Sequence, residues 1–244
     1  MKNSLRYIFG SFIAFSFAVA AHAADLVSVG FSASEVFGDV TTKADGGGPY
    51  VALAAGTMLK DGAVIKTGEN STVSITFASG AVAMIRPNTE IEITKFEQAV
   101  FSGMVSQLEE PSQSNTKMKL LRGEVVSKVK KLKPSSEYSV VAPNGAAGVR
   151  GTFFSVSYDP VKKTLTVSTL EGSVVVTLPD GTTFDTAFAN QQIIIEGETG
   201  KKDRLPLDKR QFLERLAGFF GSTSQNQSLL RVLNHFQIGV SPNQ

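Results

Sequence analysis

Apolar and polar residues alternate in short runs over residues 27–195, and a turn separates each run from the next. Val73, Ile75 and Phe77 fall on one side of an extended chain and Ser74 and Thr76 on the other, the period-two pattern of a half-buried strand. The turn Ala78-Ser79-Gly80 follows, then residues 82–85, the turn Pro87-Asn88, and Ile91 and Ile93 set between Glu90, Glu92 and Thr94. The same grammar returns at residues 125–129, 138–141, 152–158, 165–169, 173–178 and 192–195, with Pro179-Asp180-Gly181-Thr182 as a strong turn. The pattern predicts a mostly β protein of roughly ten to thirteen short strands. Without long helical runs between strands, a βαβ layout is excluded. A meander, a jelly-roll-like fold and an irregular β-solenoid all fit. Residues 97–117 are polar and are expected to form a long loop between strands.

Beyond Gly200 the period changes. Phe212, Leu213, Leu216, Phe219 and Phe220 lie on one face of a helix, with Asp208 and Gln211 spaced as a capping box and Gly221 as its stop. Leu229, Leu230, Leu233 and Phe236 mark a second one. Two short amphipathic helices are therefore expected in residues 201–244, packed on the β core, on a second copy or on a membrane surface. At the other end, Lys2 and Arg6 precede the apolar run 8–21 and the small-x-small site Ala21-His22-Ala23. Residues 1–23 read as a cleavable signal peptide, because the run is shorter than the roughly 20 residues a spanning helix needs. Residues 24–200 are then the β domain. The chain is expected to be exported, to the periplasm or to the cell surface and medium, with no transmembrane span.

Composition narrows the chemistry. The chain has 24 basic and 22 acidic residues, so removal of Lys2 and Arg6 leaves the two signs equal. A nucleic-acid partner is not expected without a broad basic field. Cys is absent, which excludes disulfides, zinc–thiolate sites and thiol nucleophiles. His235 is the one His after residue 23, so neither a His-based metal site nor a Ser-His-Asp arrangement has sequence support. Glu90 with Glu92, and Glu109 with Glu110, are neighbours along the chain and not an opposed pair across a cleft. Residues 145–152 are glycine-rich but lack the Lys-Ser/Thr ending and following helix of a phosphate loop. No catalytic, cofactor-binding or metal-binding residue is assigned, and no cofactor is expected. A basic stretch holds Lys128, Lys130, Lys131 and Lys133. It reads either as a solvated strand face or as a face for an anionic partner.

Tyr138-Ser139-Val140-Val141-Ala142-Pro143-Asn144 and the following Gly145-Ala146-Ala147-Gly148-Val149-Arg150-Gly151-Thr152-Phe153-Phe154-Ser155-Val156 resemble the core motif of the FecR-type domain. Leu170-Glu171-Gly172-Ser173-Val174 is similar to that family's next strand pair. Gly56-Thr57-Met58-Leu59, Gly62 and Thr67-Gly68 resemble its opening. The resemblance covers about residues 50–180. Ala142 stands where the family often has Thr, and its usual Trp is missing. The resemblance implies an all-β extracytoplasmic domain in which Pro143, Gly148, Arg150, Gly151, Thr152, Phe154 and Gly172 are structural. Founding members of the family relay a signal from an outer-membrane transducer to a cytoplasmic sigma factor. This sequence instead resembles a free-standing exported form without the anti-sigma segment. Its expected function is non-catalytic binding of an envelope protein or an anionic polymer. A structural component of the envelope, a periplasmic regulator and an enzyme are the competing readings.

Overall fold

The computed structural model describes residues 25–44, 47–101, 108–197 and 199–220. The expected signal peptide, the second C-terminal helix and His235 lie outside them. In chain order the strands are β1 (Leu26–Ser28), β2 (Phe31–Phe37), β3 (Val40–Lys43), β4 (Val51–Ala52), β5 (Met58–Leu59), β6 (Ala63–Thr67), β7 (Thr72–Thr76), β8 (Val82–Ile85) and β9 (Glu90–Ala99). They continue as β10 (Ser114–Val129), β11 (Glu137–Ala142), β12 (Gly145–Val149), β13 (Thr152–Asp159), β14 (Thr164–Glu171), β15 (Ser173–Thr177), β16 (Thr183–Phe188), β17 (Gln191–Glu196) and β18 (Thr199–Arg204), followed by one helix, α1 (Leu207–Ala217).

These strands form two facing sheets. The first runs β4-β3-β6-β9-β10-β11-β12-β15-β16, with β1 beside the far end of β9. The second runs β5-β2-β7-β8-β10-β13-β14-β17-β18. From β11 onward, successive hairpins join the first and second sheets alternately. Neither sheet closes on itself. The protein is mostly β, as expected, and its path is an alternation between two open sheets.

The sheets share β10. Its first half pairs with β9 and β11, and its second half with β8 and β13. The β10–β11 pair is parallel, which requires a crossover; the second half of β10, lying in the other sheet, provides it. The strand changes sheet at Gly123, where φ is +88°. A Cβ there would stand 2.6 Å from the Cα of Thr89, so both backbone conformation and space require glycine.

Residues 97–117 are not one loop. β9 continues to Ala99 and β10 starts at Ser114. Ser114, Thr116, Met118 and Leu120 alternate inward and are buried, while Lys117 and Lys119 are exposed. Alternation outweighs polarity here because the outward side of the first sheet faces solvent.

Side chains from both sheets meet in a single core that includes Ile65, Ile91, Ile93 and Met118 from the first and Ile75, Ile85, Val125 and Val156 from the second. Rings cross between the layers. Phe77 packs edge-on against Phe96 at 5.1 Å and against Tyr138 at 6.4 Å, and Tyr138 against Phe154 at 6.2 Å. The Tyr138 hydroxyl donates to Ser127 Oγ at 3.0 Å, which satisfies the buried phenol.

Helix α1 covers the outward side of the second sheet. Leu213, Leu216 and Phe220 bury against Val82, Val126, Phe153 and Leu170. Residues 199–204 are strand, so the helix begins at Leu207. The expected capping box does not form. Pro206 occupies the N-cap, and Asp208 lies inside the first turn without a side-chain cap bond. The helix ends at Ala217, with Gly218 as its C-cap, before the expected stop at Gly221.

Two outcomes follow. Gly123→Ala should lower unfolding stability in urea by about 3 kcal/mol, from left-handed backbone strain plus the contact with Thr89; a change below about 0.5 kcal/mol would remove Gly123 as the hinge between sheets. Burial pushes the Tyr138 phenol above its ordinary 10.0, with the Ser127 hydrogen bond a smaller, opposing influence. A raised folded pKa stabilises the fold below the unfolded value, and that stability is lost as pH rises past it. Urea unfolding near pH 8 and near pH 11 should show a larger loss for the natural chain than for Tyr138→Phe. Equal losses would mean that another group controls alkaline stability.

Candidate functional site

The motif residues converge on the point where the chain leaves the first sheet and enters the second. β11 and β12 form a hairpin with Ala142 opposite Gly145, leaving Pro143 and Asn144 as its turn. Asn144 Nδ2 donates to the carbonyls of Lys163 and Ile195 at 2.9 and 3.1 Å. Those bonds tie the turn to the second sheet. Along β12, Ala147 and Val149 point into the core and are buried, while Ala146 and Gly148 lie on the other side. A Cβ on Gly148 would meet only the Val175 carbonyl oxygen, at 4.0 Å, so space does not demand glycine there.

The corner itself is tighter. Arg150 is exposed, and its guanidinium donates to the Pro134 carbonyl at 2.8 Å. Asp159, at the end of β13, accepts from the Val161 and Lys162 amides. Gly151 has φ +123° and lies against Lys131. Gly172 has φ +78°, and a Cβ on it would fall 2.5 Å from the Gly151 oxygen. Thr152 Oγ1 donates to the Ser173 carbonyl at 3.1 Å, and Phe154 inserts fully into the core. The motif thus joins β12, β13 and the β14–β15 turn through backbone contacts.

A neighbouring clasp was not foreseen. Glu110 is 2% exposed and accepts from Ser114 Oγ at 2.7 Å, from Ser136 Oγ and from the Lys133 amide. The sequence grouped Glu109 and Glu110 as a polar pair, yet their surroundings differ. Glu109 is exposed and pairs with Lys131 at 3.2 Å. The signal available in the sequence was the run of serines around Glu110, which supplies donors at short range. Glu90 and Glu92 are also not equivalent. Glu90 pairs with Lys66 at 3.1 Å and with Arg122 at 3.7 Å, and Lys66 sits 4.3 Å from the Tyr50 ring centre.

The four basic residues do not form one free face. Lys128 is exposed on the outward side of the second sheet, in register with Val82 and Phe153. Lys130 is half-buried across Gly80 of the β7–β8 turn. Burial, and then the Lys128 charge, hold its ammonium below the ordinary value. Lys131 is engaged by Glu109, an exposed pair of small energetic weight. Lys133 is exposed, and its amide belongs to the Glu110 clasp. Among the described residues, no group of three or more His, Asp or Glu side chains is placed to hold a metal ion. No described helix is long and apolar enough to cross a membrane.

If the motif is architectural, its members should differ in a definite order. Gly172→Ala should cost about 3 kcal/mol through strain and overlap with Gly151, whereas Arg150→Ala, losing one exposed hydrogen bond, should cost less than about 1 kcal/mol. Thermal unfolding of both variants checks this, and the reverse order would assign the corner's stability to the guanidinium.

Residues 63–175 match the family model described as FecR protein, inside the segment that the motifs had marked. No curated protein matches the sequence. Two crystal structures of a putative anti-sigma factor from Parabacteroides distasonis ATCC 8503 are similar, at 18% and 19% identity with TM-scores of 0.45 and 0.43. Each alignment covers 58% of this chain and 59% of the other, so the match spans less than two thirds of those chains. Residues 63–175 of this chain are thus a FecR domain, with the Val149-Arg150-Gly151-Thr152 corner toward the C-terminal end of that segment.

Proposed function

We propose that this chain is a non-catalytic regulatory module that works outside the cytoplasm by binding a protein or an anionic envelope polymer. The FecR match over residues 63–175 supports the regulatory part. The binding part rests on one observation: the polar side chains of the motif corner are turned onto the protein's own backbone. Arg150 donates to Pro134, Thr152 to Ser173 and Asn144 to Lys163 and Ile195. The corner therefore builds a surface, and function is carried by what that surface contacts. The residues 1–23 pattern supports export. Lys128 and Lys133 are exposed cations of the basic stretch and supply the anionic preference.

Pulldown from an envelope extract with the natural chain and with a Lys128→Glu/Lys133→Glu variant tests the reading. The expected result is material retained by the natural chain, with at least about tenfold less retained by the variant, the size of a loss near 1.4 kcal/mol. Equal retention by the two would remove the basic residues from the interface, and retention by neither would remove the binding reading.

A further inference from the structure

The matched segment, residues 63–175, carries an apolar stripe on the outward side of its second sheet. Val82, Val126, Phe153 and Leu170 come from β8, β10, β13 and β14, with Met84 beside them. The stripe is narrow. In the register row through Met84 and Val126, the next residues are Ser74 on one side and Ser155 then Ser168 on the other. Apolar ground therefore ends within about the 10 Å width of one helix.

The helix that fills it comes from outside the matched segment. α1 seats Leu213 and Leu216 on the stripe, at i and i+3, and Phe220, in the turn just after the helix, meets Phe153 edge-on at 5.1 Å. Polar contacts set its direction. Lys209, one turn before Leu213, pairs with Glu124, and Phe212 lies over the Arg86 guanidinium at 4.8 Å. Both Glu124 and Arg86 belong to the matched segment. Arg86 Nε is buried without a hydrogen-bond partner among the described residues, and the Phe212 ring lies over the guanidinium. The 11-residue α1 has no side-chain cap at its N-terminus, and an isolated helix of that length is marginal in water. Its helicity depends on docking.

The geometry points to the stripe being a docking groove for a short amphipathic helix of a partner, in which α1 is the resident competitor. The fitting partner carries apolar residues at i and i+3, a further aromatic residue just past the helix end, a basic residue one turn before the first facing Glu124, and an aromatic residue over Arg86. This deepens the binding reading above by naming a site and a partner chemistry, and it rests on that reading for its physiological use. Release of α1 exposes the stripe, and an incoming helix covers it again. While α1 is docked, apparent affinity for the partner falls by the fraction of molecules in which the groove is open.

The probe is a labelled synthetic peptide of residues 205–220, titrated into the full-length chain and into its Leu213→Glu/Leu216→Glu variant. Binding to the variant should be at least about tenfold tighter than to the natural chain, because the intramolecular competitor is disabled. The same peptide carrying both substitutions should not bind. If the natural peptide binds neither chain while circular dichroism shows the variant's β structure intact, the groove is refuted. A variant that loses the β structure would itself count against α1 as a separable cover. Hydrogen exchange of the natural chain decides independently. Amides of α1 should exchange about 100-fold faster than those of β10 and β13, as an element that opens on its own does; equal protection would overturn the proposal. These measurements use no envelope partner, so their failure is distinguishable from a failed pulldown.

Discussion

A single strand that serves two sheets governs this architecture. β10 is 16 residues long, and both sheets are completed across it. Its first half closes the gap between β9 and β11, and its second half that between β8 and β13. A continuous strand cannot lie in two facing layers unless its backbone turns sharply, and Gly123 supplies that turn against Thr89. The pairing is reinforced locally. The Glu124 amide donates to Thr89 Oγ1, and the Arg86 amide donates to the Glu124 carbonyl. Every later hairpin inherits its layer from this switch, because β11 and β12 build outward from the first half while β13 and β14 build from the second.

The family motif solves the same problem one step further along. After β12 the chain must cross again from the first layer to the second, and it does so through Arg150 and Gly151. The carbonyl of Gly151 meets the glycine of the β14–β15 turn, so two crossings share one tight contact. Buried Glu110 anchors the adjacent segment in a different way. Its carboxylate gathers donors from Ser114, Ser136 and the Lys133 backbone, consistent with the rule that a buried charge is tolerated when hydrogen bonds surround it. Backbone crossing and buried acid together fix where β11 lies relative to β10.

Strand periodicity was legible wherever side chains alternated strongly, as at Val73, Ile75 and Phe77. It failed at residues 97–117 because the inward positions Ser112, Ser114 and Thr116 are themselves polar, so burial alternates there while polarity does not. The FecR motif was legible as a string, but the hydrogen bond of Arg150 to Pro134 was not, since it depends on a neighbour brought in by folding. The amphipathic face of α1 was visible in Leu213 and Leu216. What it covers was not, because Val82, Val126, Phe153 and Leu170 become contiguous only across four paired strands. Glu110 was hidden for a similar reason, as its donors include Ser136, 26 residues away.

The placement of charge explains why the covered stripe is the informative surface. The outward side of the first sheet is largely self-paired over β6, β9 and β10, with Glu90 between Lys66 and Arg122, and with Lys95 against Glu97 at 2.9 Å. The sheet edges are guarded as well. β4 and β5 are two residues each, and β18 is an exposed run carrying Lys201, Lys202, Asp203 and Arg204. At the remaining edge, Lys202 reaches from the second sheet to Asp185 on β16 at 2.9 Å, and its ammonium holds that carboxyl below the usual range. A charge bridging the last strands of both layers opposes the addition of another strand there. Strand addition is thus disfavoured at the ends, and the first sheet's charges are largely satisfied internally. The outward side of the second sheet differs, because its apolar stripe is satisfied only by a short helix that enters from beyond the family segment.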